Sequence, residues 1–360
     1  MPRTPIELGY RLAGHIWKNR LAGRRRFPIV LMLEPLETCN LTCKGCGRIV
    51  EYRENVILKR KTVSVEKCLE IVEQADTPIV SIAGGEPLIH PQIDEIVKGI
   101  IAQKRFVFLC TNGLMMERAM EKIPPSKYFS WVVHLDGMGD VHDYWVERKG
   151  TWEKAVHALK AALDKGYRVC TNTTLFKDSN IEDVQNLFQF LTDAGVEGIM
   201  LSAGYPYTSI AGRDIFLDRQ QSIETFRRAL DVTKKYRFYN NPLYLSFLRG
   251  ERNYPCQAWT NPTYTPVGWR KPCYLIADEH TESLDELMED SLWERYGTNK
   301  DPRCASCMMH SGFEAGIIQG AFTHPGELLT LAGAYLANSF GRPRSQNAML
   351  QTRSTESKYP

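Results

Sequence analysis

The chain has 360 residues, of which 43% are hydrophobic, and its 45 basic and 42 acidic residues give a net charge of +3. This length suits one large domain plus a smaller one, and the near balance of charge argues against a nucleic-acid-binding protein. No apolar run approaches the roughly 18 to 20 residues that span a bilayer. No secretory leader is recognisable and seven of the ten cysteines form two clusters. We therefore expect metal ligation in a reducing, cytoplasmic compartment rather than disulfides.

The first element is an amphipathic helix predicted over residues 5–21, with Gly23 as its stop signal. The basic residues 24–26 follow it, and we treat residues 1–27 as a separate N-terminal element. A helix of this kind can lie on an anionic membrane surface, which would give the protein a peripheral place on the inner face of the membrane. It can also cap the bottom of a barrel. The two roles are compatible, and both stay open.

Short apolar strands then alternate with helical segments over residues 28–236. The predicted strands are 29–33, 79–82, 106–110, 131–135, 168–173 and 198–202, and the helices include 64–74, 91–103, 152–165 and 181–194. Six strand-then-helix units predict an α/β fold with a parallel sheet and helices outside it. Six units are too few for the closed eight-stranded barrel.

Three cysteines follow the first strand: Cys39, Cys43 and Cys46, at the spacing C-x3-C-x2-C. Three thiolates can hold three irons of a [4Fe–4S] cube and leave the fourth iron open to a ligand. A structural zinc site uses four protein ligands, so a zinc loop completed by a distant residue is the alternative.

The ends of the second and third strands also carry candidate site residues. Paired glycines, Gly84 and Gly85, let the backbone approach a ligand closely, and the carboxylate of Glu86 can accept a hydrogen bond from an ammonium group. An ordinary turn is the alternative. Cys110 and Asn112 share one face of the third strand, although a free cysteine is most often a small buried hydrophobe.

The later strands end in further polar residues. His134 and Asp136 share a face of the fourth strand, with Arg148 shortly after them. Asn172 lies on the fifth strand and the sixth ends at Ser202. Ordinary barrel lining is the alternative for the last two positions.

Residues 237–320 are rich in proline and aromatic residues and contain a second cysteine set. Its members, Cys256, Cys273, Cys304 and Cys307, have the spacing C-x16-C-x30-C-x2-C. Four thiolates suit a second [4Fe–4S] cluster or a structural zinc, and disulfides are a third alternative. In the last segment, 321–360, a helix is expected over 325–338 and a disordered tail from Gly341.

The cysteine triplet after a strand, together with the Gly84-Gly85-Glu86-Pro87 segment, resembles the radical S-adenosylmethionine (SAM) enzymes. The resemblance implies a (β/α)6 partial TIM barrel, open on one side, with the [4Fe–4S] cluster on the three cysteines and SAM on the open iron. It also implies a 5′-deoxyadenosyl radical and a one-electron reductant such as flavodoxin or ferredoxin.

By the same resemblance, the GGEP segment binds the SAM amino group. The resemblance further places Asp136 and Arg148 at the SAM ribose and carboxylate. His134 stands where such enzymes often have serine, and the spacing to Arg148 is slightly long. Asn172 is a candidate ribose contact. Asn112 is expected to face the lumen and to contribute to cofactor binding.

Further segments resemble one subgroup, the adenosyl-hopene transferases of hopanoid lipid biosynthesis. They are residues 27–36, 46–47, 84–96, 108–112, 133–137, 171–174, 268–269, 271–275 and 303–308. The resemblance implies addition of the adenosyl radical to the terminal alkene of diploptene, an apolar polycyclic isoprenoid. It also implies that Cys110 donates the hydrogen atom that completes adenosylhopane.

The chain departs from the subgroup at two places, of which the first still leaves four thiols for one cluster and the second borders the expected substrate mouth. Ser311 stands where a further cysteine often follows His310, and residues 207–209 lack the usual acidic continuation. The alternative function is a radical SAM dehydrogenase or peptide-modifying enzyme with an auxiliary cluster. A third is a metal-binding scaffold without catalysis.

Overall fold

The computed structural model describes residues 4–48, 61–231 and 235–340. Its sheet has nine strands in the order β6-β5-β4-β3-β2-β1-β7-β8-β9. The strands are β1 Val30–Leu33, β2 Ile79–Ile82, β3 Phe106–Thr111, β4 Phe129–His134, β5 Arg168–Leu175, β6 Gly198–Ala203, β7 Thr263–Thr265, β8 Gly268–Pro272 and β9 Ala277–Thr281.

The described part of the chain contains twelve α-helices. They are α1 Ile6–Leu21, α2 Val65–Ala75, α3 Ile93–Ala102, α4 Met116–Met120, α5 Asp140–Val146, α6 Thr151–Asp164, α7 Ile181–Ala194, α8 Arg219–Ala229, α9 Pro242–Leu248, α10 Asp290–Arg295, α11 His310–Ala321 and α12 Pro325–Phe340. Short 3₁₀ turns occupy Pro87–Ile89, Thr208–Ile210, Ala258–Thr260, Asp285–Met288 and Pro302–Cys304.

The strands β1 to β6 are parallel to one another in sequence order, which confirms the predicted α/β partial barrel. The predicted strand 79–82 has the observed bounds, and the other five predicted strands differ from the observed ones by one or two residues at their ends. Helix α7 has the predicted bounds because both signals are present. The Asn180 side chain accepts hydrogen bonds from the first-turn N–H groups, and Gly195 ends the helix at φ 85°.

Alternation along the strands separates two apolar layers. On β3, Val107 and Leu109 pack into the core between sheet and helices. Phe106, Phe108 and Cys110 belong instead to the cluster inside the barrel. The parity argument that placed Cys110 toward the lumen is therefore consistent with the structure.

Helix α1 closes the N-terminal end of the barrel. Its Leu8 and Ile16 side chains are buried. The Arg11 guanidinium donates to the carbonyl of Lys104 at 2.9 Å, and Lys18 pairs with Asp76 at 2.9 Å. Since Lys104 and Asp76 precede β3 and β2, the helix lies across the starts of the strands, as the capping role requires.

The cysteine-rich region continues the barrel sheet, which the sequence did not indicate. Strand β7 pairs in parallel with β1, and β8 and β9 follow as antiparallel strands. The boundary between residues 236 and 237 stays a prediction, but hydrogen-bonded sheet joins the two regions. The predicted tail from Gly341 lies outside the described residues. Within residues 4–48, 61–231 and 235–340, no helix is long and apolar enough to cross a bilayer.

One buried ion pair lies at the N-terminal end of the barrel strands. The Arg168 guanidinium donates two hydrogen bonds to Glu197, at 2.8 and 2.9 Å, and a third to the carbonyl of Lys127 at 3.0 Å. Thr4 donates to the same carboxylate at 2.7 Å. Both charged side chains are only 2% exposed. Each buried charge is therefore stabilised by the opposite charge of its partner instead of by water.

We predict that Arg168→Met lowers the free energy of unfolding by about 3 to 5 kcal/mol, because it leaves the Glu197 carboxylate buried without its partner. The measurement is urea unfolding followed by circular dichroism. The double variant Arg168→Met/Glu197→Leu should be more stable than Arg168→Met.

The exposed pair Lys177–Asp214 supplies the control, because Lys177→Ala should change stability by less than about 0.5 kcal/mol. Equal losses of unfolding free energy in Arg168→Met and Lys177→Ala would contradict the stabilising role of the Arg168–Glu197 pair.

Candidate active site

The cysteine loop leaves β1 at the C-terminal edge of the sheet. Cys39, Cys43 and Cys46 are all partly exposed and are not joined in disulfides. The N–H of Cys46 donates to the carbonyl of Cys43 at 3.1 Å. Burial, and then the neighbouring thiols of Cys46 and Cys39, raise the pKa of Cys43. The fold thus brings the three predicted thiols near one another, where they could hold a cluster.

The paired glycines allow a close backbone contact. A Cβ atom on Gly85 would lie 2.1 Å from the carbonyl oxygen of Thr38, and one on Gly84 would lie 2.2 Å from that of Leu36. Gly84 also has φ 109°, which disfavours any other residue. The glycines are therefore required by the packing of this turn against the cysteine loop, whatever ligand binds there.

Glu86 is fully buried and holds neighbouring elements together. Its Oε1 accepts from the Thr111 hydroxyl at 2.9 Å and the Leu88 N–H at 3.1 Å, and its Oε2 accepts from the Asn112 N–H at 2.8 Å. Burial raises the pKa of this carboxyl to about 7, against the lowering effect of these hydrogen bonds. Its internal bonds make Glu86 a support of the site, a role that the sequence did not indicate.

Cys110 lies on the lumen face of β3, with its sulfur 3.8 Å from the Ser81 hydroxyl on β2. Burial raises the pKa of this thiol to about 11, so it carries its S–H hydrogen at neutral pH. Just beyond it, the Asn112 amide donates to the side-chain oxygen of Asn40 at 2.7 Å. This bond joins β3 to the cysteine loop, and Asn40 is a site residue that the sequence did not single out.

His134 and Asp136 form a buried pair at the end of β4, 2.8 Å apart. Burial by itself would lower the pKa of His134, but the charge and hydrogen bond of Asp136 raise it overall. The second carboxylate oxygen of Asp136 accepts from the Thr174 N–H at 2.7 Å. Burial, and then the His134 charge, lower the pKa of the adjacent His142 to about 3. His142 is therefore neutral at physiological pH, while the neighbouring Asp136 favours the protonated form of His134.

A second polar chain crosses the lumen rim from β5 to α11. Ser202 donates to the Asn172 amide oxygen at 3.4 Å and lies 2.9 Å from Nδ1 of His310. Burial lowers the pKa of His310 to about 4, so this imidazole is neutral. His310 is distant from the strands in sequence, and only its place at the start of α11 brings it to the rim.

Arg148 reaches the cysteine loop from outside the barrel. Its guanidinium donates to the Asn40 carbonyl at 3.4 Å. The structure thus places Arg148, Asn112 and the cysteine loop together at one edge. His134 and Asn172 are paired residues of adjacent strands in the same rim.

The second cysteine set surrounds one cavity of about 30 Å³. Its four cysteines come from separated segments: Cys256, Cys273, Cys304 and Cys307. The thiols raise one another's pKa after the larger effect of burial. A Cβ atom on Gly312, at the start of α11, would lie 3.1 Å from the sulfur of Cys256. The four predicted ligands therefore fit one shared group held between β8, α11 and the loops.

Four buried charges, which sequence analysis did not single out, lie between the two cysteine sets. Arg48 pairs with Glu34 at 2.6 Å and Arg270 pairs with Glu37 at 2.9 Å. Arg48, two residues after Cys46, also lies 4.5 Å above the ring of Tyr274. The network thus joins the first cysteine loop to the segment that carries Cys273.

The four cysteines of the second set line one shared space. Among the residues that the structure describes, no three His, Cys, Asp or Glu side chains are grouped as ligands of a single metal ion. Thiolates of a [4Fe–4S] cluster bind different irons around a cube. A set of thiols lining one space is the arrangement that such a cluster needs.

Comparison with known proteins gives two family matches. Residues 33–191 match the radical SAM superfamily, and residues 199–331 match a domain of unknown function, DUF3463. A probable GTP 3′,8-cyclase of Methanocaldococcus jannaschii is 25% identical over 75% of this chain and 90% of its own length. The subtilosin biosynthesis protein AlbA of Bacillus subtilis is 27% identical over 79% of this chain and 63% of its own length.

A solved structure gives the same fold. Streptococcus suis SuiB bound to its precursor peptide SuiA has a TM-score of 0.61 at 18% identity, covering 85% of this chain and 76% of SuiB. At this identity the likeness concerns the fold alone. The family uses a [4Fe–4S] cluster with SAM, and the cysteine-rich C-terminal region accords with a second cluster or zinc. With the partial barrel and the cysteine loop after β1, the match over residues 33–191 identifies this part of the chain as a radical SAM domain.

Proposed function

We propose that the protein is a radical SAM adenosyl transferase that completes its reaction with a hydrogen atom from Cys110. The observation that carries the proposal is the Cys110 thiol, which is held on the lumen wall beside Asn112 and the cysteine loop and is neutral at physiological pH. Its proposed substrate is the terminal alkene of an apolar polycyclic isoprenoid, with diploptene as the first candidate.

In this proposal Cys39, Cys43 and Cys46 hold the [4Fe–4S] cluster, and Cys256, Cys273, Cys304 and Cys307 hold the second centre. When bound, the first cluster supplies the electron that splits SAM and yields a 5′-deoxyadenosyl radical. That electron comes from a reductant of the flavodoxin or ferredoxin class.

The proposed SAM-binding residues line the rim around the loop. The SAM amino group would bind at the GGEP segment, to the backbone of Gly84 and Gly85 and to the Glu86 carboxylate, which accepts three internal hydrogen bonds and has a further lone pair. The His134–Asp136 pair and Asn172 accept and donate hydrogen bonds to the ribose hydroxyls. Arg148 offers its charge to the SAM carboxylate, and Asn112 orients the loop through Asn40.

Cys110 then acts on the substrate. Joining the adenosyl carbon to the end of the alkene forms a C–C bond and leaves a tertiary carbon radical. A proton cannot quench such a radical, but the S–H bond can give it a hydrogen atom. This step leaves a sulfur radical on Cys110, which one electron from the reductant and one proton from solvent convert back to the thiol.

The environment of Cys110 suits an apolar substrate. Phe106, Phe108 and Val132 line the same inner layer, and burial among them keeps water from the radical. The substrate itself is inferred from the sequence resemblance. By their names, the relatives reported above do not act on isoprenoids.

Peptide modification with an auxiliary cluster is the second candidate, and the named relatives favour it. AlbA is a bacteriocin biosynthesis protein and SuiB was solved with a precursor peptide. In that reaction the adenosyl radical abstracts hydrogen and leaves as free 5′-deoxyadenosine. The fate of the adenosyl group therefore separates the two candidates. Anaerobic turnover with diploptene should give an adenosyl adduct by mass spectrometry, whereas its absence with release of 5′-deoxyadenosine would favour the second.

Replacing Cys39, Cys43 and Cys46 together with alanine should abolish SAM cleavage, because the cluster loses its protein ligands. The measurement is 5′-deoxyadenosine and adenosyl products after anaerobic incubation with dithionite. The matched control is Cys68→Ala, a buried thiol behind the sheet, which should cleave SAM normally. Persistent cleavage in the triple variant would refute the proposed ligands.

The triple variant also tests the second centre. It should retain iron or zinc bound by the C-terminal cysteines, and adding Cys304→Ala and Cys307→Ala should release that metal and lower the melting temperature. Elemental analysis of anaerobic protein measures both changes. A triple variant with neither iron nor zinc would contradict a four-cysteine site.

Cys110→Ala should still attach the adenosyl group to the alkene, since the thiol acts only after the C–C bond has formed. Other donors would then quench the radical, and the product should be a mixture of epimers or diverted compounds. Chiral chromatography with mass spectrometry measures this. Cys170→Ala removes a thiol from the same inner layer and should keep a single epimer. An unchanged rate and stereoisomer in Cys110→Ala would leave Cys110 a packing residue.

A further inference from the structure

The exposed large hydrophobic side chains of the described residues all lie on two helices, α1 and α12. On α1 they are Ile6, Tyr10, Trp17 and Leu21, exposed by 48, 62, 50 and 84%. On α12 they are Leu329, Leu336 and Phe340, exposed by 72, 49 and 63%. Scattered exposed hydrophobics are ordinary, but concentration on two elements marks an interaction surface.

The two helices pack against each other. A Cβ atom on Gly9 would lie 2.7 Å from the ring of Tyr335, and the Ser339 hydroxyl donates to the Thr4 carbonyl at 3.1 Å. Ile6 and Tyr10 flank Gly9 in sequence, and Leu336 follows Tyr335. Exposed side chains of both helices therefore occur next to this contact in sequence, and we call the exposed faces of the two helices the α1/α12 surface.

Helix α12 is unusual for an element in contact with water. Its sixteen residues contain a single charged side chain, Glu327, and none from 328 to 340. An exposed helix of a globular protein normally carries its charges on the outer face. The outward side of α12 instead offers leucine, alanine, glycine and phenylalanine, which indicates a partner that accepts apolar side chains.

The chain segments that contain and adjoin the two helices are also basic. Residues 1–26 and 325–360 together contain eleven basic and three acidic residues, a net charge of +8, although the whole chain has only +3. The rest of the chain is therefore acidic overall. The segments that form the α1/α12 surface, or continue directly from it, are thus strongly basic and would attract an anionic partner.

The segment that follows α12 in the chain offers few apolar side chains to cover this surface. Residues 341–360 contain Met349, Leu350 and Tyr359 as their only large apolar side chains. Three such residues are too few to match the seven exposed ones. Apolar faces bordered by arginine and lysine match the interface of an anionic lipid bilayer, where hydrophobic burial and electrostatic attraction add together.

We propose that the α1/α12 surface docks the protein on an anionic membrane surface. Docking places the starts of the strands toward the lipid, because α1 lies across the N-terminal ends of β2 and β3. The rim with its cysteine loop then faces away from the headgroups and stays open to a reductant. This docking does not depend on the proposed reaction, and its test uses no substrate.

The experiment is flotation of the full chain with vesicles of equal parts phosphatidylcholine and phosphatidylglycerol, or of phosphatidylcholine alone. The protein should float with the anionic vesicles and remain unbound with the neutral ones. Trp17→Ser/Leu329→Ser should lower the bound fraction by removing apolar anchors from both helices. Arg24→Glu/Arg25→Glu should weaken binding by more than about tenfold, since each basic residue near the surface adds attraction.

The matched control is Lys154→Glu/Lys165→Glu, which reverses two exposed charges at α6, a barrel helix, and should bind like the unchanged protein. Circular dichroism and SAM cleavage with dithionite should be the same for all variants, because none of these residues touches the rim. Equal binding of Trp17→Ser/Leu329→Ser and the unchanged protein would overturn the proposal. So would a dimer that the same substitutions dissociate, since a second copy would then be the occupant.

Discussion

The close backbone contact between the cysteine loop and the Gly84–Gly85 turn is the constraint on which the site depends. The N–H of Gly85 donates to the Leu36 carbonyl at 3.2 Å, and the N–H of Glu86 donates to that of Thr38 at 2.8 Å. Only residues without a Cβ allow these two segments to approach so closely. Through this contact the loop after β1 is hydrogen-bonded to the turn after β2.

Hydrogen bonds also connect this turn to β3. Glu86 accepts the N–H of Asn112, and Asn112 returns to the cysteine loop through Asn40. These hydrogen bonds form a closed ring that connects the turn after β2, the end of β3 and the cysteine loop. Such a ring holds the thiols in place before any cluster binds. Cys110 lies next to Thr111, whose hydroxyl donates to Glu86 in the same network.

Buried ion pairs also connect the cysteine loop to the C-terminal region. Arg48 and Arg270 are each paired with a buried carboxylate, so neither side can move alone without leaving an unpaired charge. Since β7 also pairs with β1, the two cysteine sets belong to one connected structure. This arrangement accommodates both candidate reactions, because an auxiliary centre near the lumen can tune binding or accept an electron.

Short apolar runs that alternate with helical segments, with the cysteine triplet and the paired glycines, determined the six parallel strands and the edge of the sheet that carries the site. These signals are local, and local geometry is what side-chain periodicity reports. The lumen side of Cys110 followed from parity in the same way. The sequence could not reveal the pairing of β7 with β1, the charges at Glu34, Glu37, Arg48 and Arg270, or the arrival of His310 at the rim. Each joins residues far apart in the chain, and only the tertiary structure decides which distant segments meet. The same holds for α1 and α12: the sequence predicted two helices, and their contact created a single apolar surface.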